Sequence, residues 1–309
     1  MTADLATIVV NWNTVDLLDE CLASIYTATP SSLHNEVVVV DNGSTDGSVE
    51  HLRRYWPAVR LIVNANNQGF CRANNAAIQA TDAPLLLLVN TDARLQPSNI
   101  AVLLRYFRND RRAAVVGPRL TYANGAFQRW TAGRLPGLRS LTTYLLGLDR
   151  VGPWRRAGHY LGEDTSKPFQ PEWVSSAVMA VRRSALDEVG LLDENIFVYM
   201  DDVDLCARVT AAGWHVWYAA DTTAVHFMGV SSSRASGQAS PEALRALNRW
   251  YVQRHGAVRG WALRAVEVVG FGGRVLLHSP GAVRRRPEAQ ARRDAHARHL
   301  RLALQSIDG

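Results

Sequence analysis

Short apolar runs alternate with amphipathic stretches over the first 120 positions of the chain. Ala6 to Val10 predicts a buried strand, after which Leu17, Leu18, Cys21, Leu22 and Ile25 recur at helical spacing. Glu36 to Val40 predicts a second strand, Asp46 to Tyr55 a helix, Arg60 to Val63 a third strand and Gly69 to Ala80 a further helix. Pro84 to Val89 is a fourth apolar strand. Pro97 suits the first position of a helix running to Phe107, and Ala113 to Val116 predicts a fifth strand. Strands separated by helical patterns of roughly 10–15 residues imply βαβ units and a parallel sheet.

Residues 121–172 lack a clear period, and an apolar and basic patch runs from Leu135 to Trp154. Periodicity returns with Trp173 to Val181 as a strand, Ser184 to Val189 and Asp202 to Ala212 as helices, and Trp214 to Tyr218 and Thr223 to Phe227 as strands. Beyond Pro241 the pattern is helical to the end. The expected class is α/β: a mostly parallel central sheet with helices on both faces, followed by a C-terminal helical extension. The expected boundary separates residues 1–240 from 241–309.

Charge sharpens that boundary. The chain of 309 residues has a formal net charge of +6. Residues 1–241 carry 21 Lys+Arg against 23 Asp+Glu, a net of −2, whereas residues 242–309 carry 13 Arg against 5 Asp+Glu, a net of +8. The body is therefore unsuited to gripping a nucleic-acid backbone by net charge. Three scattered cysteines, Cys21, Cys71 and Cys206, form neither a disulfide framework nor a zinc motif and read as free thiols. The first residues lack a signal-peptide pattern, and no run of about 18 uncharged apolar residues predicts a membrane-spanning helix.

Ligands of such sheets sit beyond the carboxyl ends of the strands. Polar clusters occupy those ends: Asn11-Trp12-Asn13, Asp41-Asn42-Gly43-Ser44, Asn64 to Gln68 and Asn90-Thr91-Asp92. Each also reads as turn chemistry. Asp92 directly after a buried strand suits a hard divalent cation, which takes oxygen ligands and shares its shell with phosphates. Asp201-Asp202-x-Asp204 is the densest carboxylate group; Asp favours a helix start, and a carboxylate beside a bound hydroxyl can act as general base. His226, at a strand end, reads either as a satisfied polar residue or as a metal ligand. Ser231 to Ser233 and Arg234 would suit phosphate oxygens. There is no P-loop ending after Gly43 and no G-x-G-x-x-G after the first strand, which excludes P-loop ATPase and nicotinamide dehydrogenase readings.

Taken in order, Ile8 to Asn13, Val39 to Gly47, Asn66-Asn67-Gln68-Gly69-Phe70, Asn90-Thr91-Asp92, Tyr199 to Leu205 and His226-x-x-Gly229-x-Ser231 form a set that resembles the family 2 glycosyltransferases with the GT-A fold. The resemblance spans roughly residues 5–235 and looks strongest to actinobacterial rhamnosyltransferases that act on N-acetylglucosaminyl-diphosphoryl-polyprenol in cell-wall linker synthesis. It implies an inverting transfer and a division of the catalytic domain into a nucleotide-binding half, 1–120, and an acceptor half, 121–240. By position it implies Trp12 against the nucleobase, Asp41 hydrogen-bonded to the base, and Asn67 and Asn75 on the nucleotide side. It also implies Asp92 and His226 as ligands of Mg²⁺ or Mn²⁺, Asp202 as the base and Arg234 near the phosphates. Asn90 stands where the family has the first Asp of D-x-D, and Asp201 where it has a Glu.

The donor implied is dTDP-L-rhamnose and the acceptor a lipid-linked saccharide. Galactosyl, mannosyl and glucosyl donors share these motifs. Val258 to His278 mixes apolar residues with Arg259, Arg264 and Arg274, and Arg284 to Arg286 and Arg292-Arg293 follow. This reads as an interfacial helix on an anionic cytoplasmic membrane surface or as a helix docked on a core, weakened at Gly270, Gly272 and Gly273. A nucleic-acid-binding protein would account for the tail but leaves the carboxylate clusters without a role. A non-catalytic sugar-nucleotide sensor would share the fold.

Overall fold

A computed structural model describes residues 3–161, 164–227, 241–283 and 287–305. The amino-terminal apolar runs become β1 (Leu5–Asn11), β2 (Asn35–Asp41), β3 (Arg60–Val63) and β4 (Leu85–Asn90), with α1 (Val15–Ala28), α2 (Ser48–Tyr55) and α3 (Phe70–Gln79) between them. Strands β1, β2 and β4 are buried along most of their length on both faces, which explains their continuous rather than alternating apolar pattern. Next come β5 (Ala93–Arg94), α4 (Asn99–Asn109), β6 (Ala113–Thr121), β7 (Ala132–Gly133), α5 (Leu138–Leu145) and β8 (Trp173–Val174). Then follow β9 (Val178–Arg182), α6 (Arg183–Val189), α7 (Asp201–Ala211) and β10 (His215–His226).

Eight strands form one sheet in the order β3-β2-β1-β4-β9-β6-β10-β5. Strands β3, β2, β1 and β4 run parallel, with Asn11 opposite Asp41 and Val10 opposite Asn90. Strand β9 is antiparallel to both β4 and β6, while β10 is parallel to β6. The polar ends of β1, β2 and β4 thus share one rim with the start of β9 and the end of β10. Leu18, Leu22 and Ile25 of α1 and Leu103 and Phe107 of α4 pack on Val9, Val39 and Leu87 of the sheet. Each such side chain, fully buried, contributes about 1.5–3 kcal/mol.

Local polar chemistry moves several expected boundaries. Helix α2 starts at Ser48 because Asp46 stays outside and accepts hydrogen bonds from Ser48 N at 3.1 Å and Ser48 Oγ at 2.5 Å. Helix α4 starts at Asn99, whose Oδ1 accepts from Gln96 N at 2.6 Å, leaving Pro97 ahead of the helix. The predicted strand Trp173 to Val181 is broken, since Ser175 N turns to the Thr131 carbonyl at 2.8 Å. The two strands expected after Trp214 are one strand, β10, with an irregularity between Ala219 and Thr223. Asp221 in that irregularity accepts a bond from Tyr106 Oη at 2.6 Å and pairs with Arg105.

The described residues gather into two compact units, 3–132 with 164–227, and 133–161 with 241–283 and 287–305. The first holds the large sheet. The second joins α5, which the aperiodic stretch concealed, to α8 (Pro241–His255), α9 (Ala257–Val283) and α10 (Pro287–Leu304). A single boundary at 240 is therefore replaced by an excursion at 133–161 that belongs with the carboxy-terminal helices. Leu145, Leu244 and Phe271 form the centre of this unit, with Val266, Leu300 and Leu302 against them.

Gly270 has a packing role in α9. A Cβ there would stand 2.6 Å from Leu145 Cβ, so its absence permits the close approach of α5. Val258, Trp261, Val269, Leu276 and Leu277 of α9 are exposed. Among the described residues no helix is long and apolar enough to cross a membrane. The three cysteines are buried and unpaired, and burial pushes the Cys21 thiol up to about 12.

Candidate active site

The end of β1 and the loop after β2 are joined by a closed set of hydrogen bonds. Asn11 Nδ2 donates to Asp41 Oδ2 at 2.8 Å and to Ser44 Oγ at 3.1 Å, and Ser44 N donates to Asp41 Oδ1 at 2.9 Å. Thr14 Oγ1 reaches Asn11 Oδ1 at 2.7 Å and Thr91 Oγ1 at 3.1 Å, tying in the loop after β4. Asp41 has no exposed surface and both its oxygens accept internal bonds. In this arrangement its carboxylate orders the rim. Trp12, next to Asn11 in sequence, is 44% exposed. Asn13, at a φ of 52°, turns its side chain back to accept from Thr45 N at 2.8 Å.

A second network holds the segment before α3. Asn42 Nδ2 donates to Asn67 Oδ1 at 2.8 Å, and Asn42 Oδ1 accepts from Asn64 Nδ2 and Gln68 N. Asn67 Oδ1 also accepts from Gly69 N at 2.9 Å. Gly69 has a φ of 89°, and a Cβ there would lie 2.8 Å from the Phe197 ring. Phe70 N donates to Phe197 O at 2.8 Å, so the loop before α7 rests on the start of α3. Asn75 is placed differently from expectation. It is buried, its Nδ2 donates to Leu192 O at 2.9 Å and its Oδ1 accepts from Leu192 N at 3.1 Å. Both ends of its amide brace the 192–194 segment instead of facing a nucleotide.

Asp92 and His226, 134 positions apart, meet through the sheet. The antiparallel pair β5·β10 sets Ala93 opposite His226, and Phe227 N donates to Asp92 O at 2.8 Å. His226 Nε2 stands 3.2 Å from Asp92 Oδ1, and that buried oxygen has no hydrogen-bond donor. On the far side of the ring, His226 Nδ1 faces Gln128 Oε1 at 3.1 Å, while Gln128 Nε2 donates to the His226 carbonyl. An undonated buried carboxylate oxygen beside an imidazole nitrogen fits a divalent cation. Neighbouring ligands about 2.1 Å from an octahedral ion stand about 3 Å apart. Among the described residues no group of three or more Asp, Glu, His or Cys could hold a metal, so these two side chains are by themselves an incomplete shell. Arg234 and Ser231 to Ser233 lie outside the described residues.

The third group opens α7. Tyr199 and Met200 both adopt left-handed φ angles, 63° and 68°, immediately before Asp201. For residues with side chains this costs on the order of 1–3 kcal/mol each, a strain typical of functional loops. Asp202 Oδ2 accepts from Ser176 N at 3.3 Å, and the Ser176 hydroxyl donates to Asp201. Asp201 Oδ2 is buried without a donor. Asp202 retains some exposed surface, yet its carboxyl is enclosed by protein; that burial, and then the charge of Asp201, push it up to about 8. Burial likewise raises Asp201. Both carboxyls therefore take up a proton more readily than an ordinary carboxylate. Asp204 is a different case: it pairs with Arg208 at 2.7 Å, whose guanidinium donates to the carbonyls of Val189, Gly190 and Leu191. It fastens α7 to the turn after α6.

The carboxyl pair and the Asp92–His226 pair share one rim, since Asn90 N donates to Ala177 O at 2.9 Å, next to Ser176. Gln128 and Ser176 were missed in the sequence. Both lie in segments without period, and a single Gln or Ser carries no local signal of its partner.

A family model described as "Glycosyl transferase family 2" matches residues 7–190. The N-acetylglucosaminyl-diphospho-decaprenol L-rhamnosyltransferase of Mycobacterium tuberculosis is 32% identical over 248 residues, covering 76% of this chain and 79% of that one. Among solved structures, GalNAc-T7 with UDP, GalNAc and Mn²⁺ aligns at a TM-score of 0.58 and 14% identity over 81% of this chain and 48% of its own. The mannosyltransferase PcManGT of Pyrobaculum calidifontis, in complex with GDP-Man and Mn²⁺, aligns at 0.56 and 17% identity over 98% and 86%. At such identities the structural likeness speaks to the fold alone.

Proposed function

The chain belongs to glycosyl transferase family 2 and has the GT-A fold, and from that premise we propose that it transfers L-rhamnose from dTDP-L-rhamnose to N-acetylglucosaminyl-diphosphoryl-polyprenol with inversion. The observation that carries the choice of donor and acceptor is the likeness to the mycobacterial rhamnosyltransferase along most of both chains. The chemistry rests on the rim. Asp202 takes the proton of the acceptor hydroxyl as its oxygen bonds to the anomeric carbon, and the bond from that carbon to the diphosphate breaks on the opposite face. A divalent cation, Mg²⁺ or Mn²⁺, would supply positive charge against the departing nucleoside diphosphate. Asp92 and His226 would hold it, Trp12 offers a face to the nucleobase, and Asn67 with Asn42 shapes the nucleotide-side loop. Arg234 serves the phosphates. Asp41 and Asn75 support these residues from behind.

A lipid-linked acceptor makes attachment to the cytoplasmic membrane surface useful. The uncharged exposed stripe of α9 and the net +8 of residues 242–309 support a peripheral association with anionic lipid. Nucleic acid is not a partner in this reading.

The test is a donor panel with the polyprenyl-diphosphoryl-N-acetylglucosamine acceptor. Transfer from dTDP-L-rhamnose that stops with EDTA and returns with Mg²⁺ or Mn²⁺ is the expected outcome. Preferential turnover of a galactosyl, mannosyl or glucosyl donor would replace the rhamnosyl assignment, and full activity in EDTA would remove the cation.

A further inference from the structure

Gln128 makes a two-point contact with His226 that only an amide can make. Its backbone is held on both sides: Gln128 N donates to Leu120 O at 3.0 Å, and Thr131 Oγ1 donates to Gln128 O at 2.7 Å. Leu120 lies opposite Ala224 in the β6·β10 pairing, so this turn sets Gln128 against the last residues of β10. The side chain has no exposed surface. Its Nε2 donates to the His226 carbonyl, an atom that can only accept. That contact decides which end of the amide is which, and the remaining atom, Oε1, is the one 3.1 Å from His226 Nδ1. An amide oxygen can only accept, so Nδ1 must carry hydrogen. In the neutral ring Nε2 then keeps its lone pair, directed at the side where Asp92 Oδ1 stands 3.2 Å away.

We infer that Gln128 is a positioning residue that locks His226 in the Nδ1–H tautomer and so keeps Nε2 open as a cation donor. This rests on the reading of Asp92 and His226 as the cation pair. The oxygen facing Nδ1 sets the tautomer: Glu would keep that contact and lose only the bond to the His226 carbonyl, whereas Leu would offer neither. Partners one step removed from a metal typically change affinity by about 10–100-fold when lost.

The experiment uses the full chain labelled with ¹⁵N-histidine, with Gln128→Leu, Gln128→Glu and His226→Ala. Long-range ¹H–¹⁵N spectra of the metal-free protein report the His226 tautomer, and Mn²⁺ binding in the presence of dTDP is followed by electron paramagnetic resonance. The wild type is expected as Nδ1–H. Gln128→Leu is expected to lose that pattern and to bind Mn²⁺ about 10–100-fold more weakly. Gln128→Glu, which still accepts from Nδ1, is expected to keep the tautomer and most of the affinity, and it carries the test if the Leu variant does not fold. A wild type in the Nε2–H form overturns the inference. So does a Gln128→Leu protein with wild-type spectra and affinity while His226→Ala loses Mn²⁺. If His226→Ala binds Mn²⁺ as the wild type does, the cation reading fails, and the tautomer spectra alone decide Gln128.

Discussion

Replacing Asp201 by Asn separates burial from charge at the proposed base. Asp202 is pushed up to about 8 by burial first and by the negative charge of Asp201 second. The substitution preserves size, and its amide oxygen can still accept from the Ser176 hydroxyl, so burial stays while the like charge goes. A like charge at this range is worth on the order of 1–3 pH units. Losing it eases ionisation of Asp202. The rising limb of kcat/KM against pH, expected near 8 in the wild type, should therefore move to lower pH by on the order of one unit or more. It should remain above the ordinary carboxylate range, because the larger cause persists. The assay is initial-rate transfer from about pH 5 to about pH 10, with dTDP affinity measured at each pH so that donor binding is not mistaken for chemistry. Asp202→Asn is the reference. It should lose about 10²–10⁴-fold in turnover with donor affinity kept. A limb in Asp201→Asn that coincides with the wild type, or moves to higher pH, refutes the coupling. Near wild-type turnover in Asp202→Asn refutes the base itself.

Other outcomes follow from separate parts of the molecule. Trp12→Ala should weaken dTDP binding about 3–10-fold, read by calorimetry, as one stacked ring is worth about 0.5–1.5 kcal/mol beyond its area. Gly69→Ala combines a φ of 89° with a Cβ 2.8 Å from the Phe197 ring and 3.0 Å from its carbonyl oxygen, and should lower stability in urea unfolding by about 2–3 kcal/mol. Glu267 in α9 is buried and pushed up to about 7, with Asn248 Nδ2 donating at 3.1 Å. The folded chain then binds a proton more tightly than the unfolded one, so stability falls as pH rises from about 4.5 towards 7. Glu267→Gln should remove that fall and gain on the order of 1–3 kcal/mol at pH 8, visible as a higher melting temperature. The double change Val269→Asp and Leu276→Asp, at positions 65% and 73% exposed, should leave the fold intact and abolish sedimentation with phosphatidylserine vesicles; unchanged sedimentation would remove the lipid assignment of that face.

The sequence by itself determined the α/β class, the parallel strands and the polar ends that make the rim. These are local matters: continuous apolar runs such as Leu5–Asn11 and Leu85–Asn90 are readable because strands buried on both faces need them. It also singled out Asp92, Asp202 and His226, each of which stands where a strand ends or a helix begins. What it did not hold was pairing. That Asp92 meets His226 follows from β5 crossing antiparallel to β10, and that α5 joins α8 to α10 follows from an excursion with no period of its own. Asp41 and Asn75 belong to recognisable motifs, yet their carboxylate and amide are satisfied by Asn11, Ser44 and Leu192. Gln128 left no trace in the pattern, because a hydrogen bond between residues 98 positions apart depends on where the sheet places them rather than on spacing along the chain.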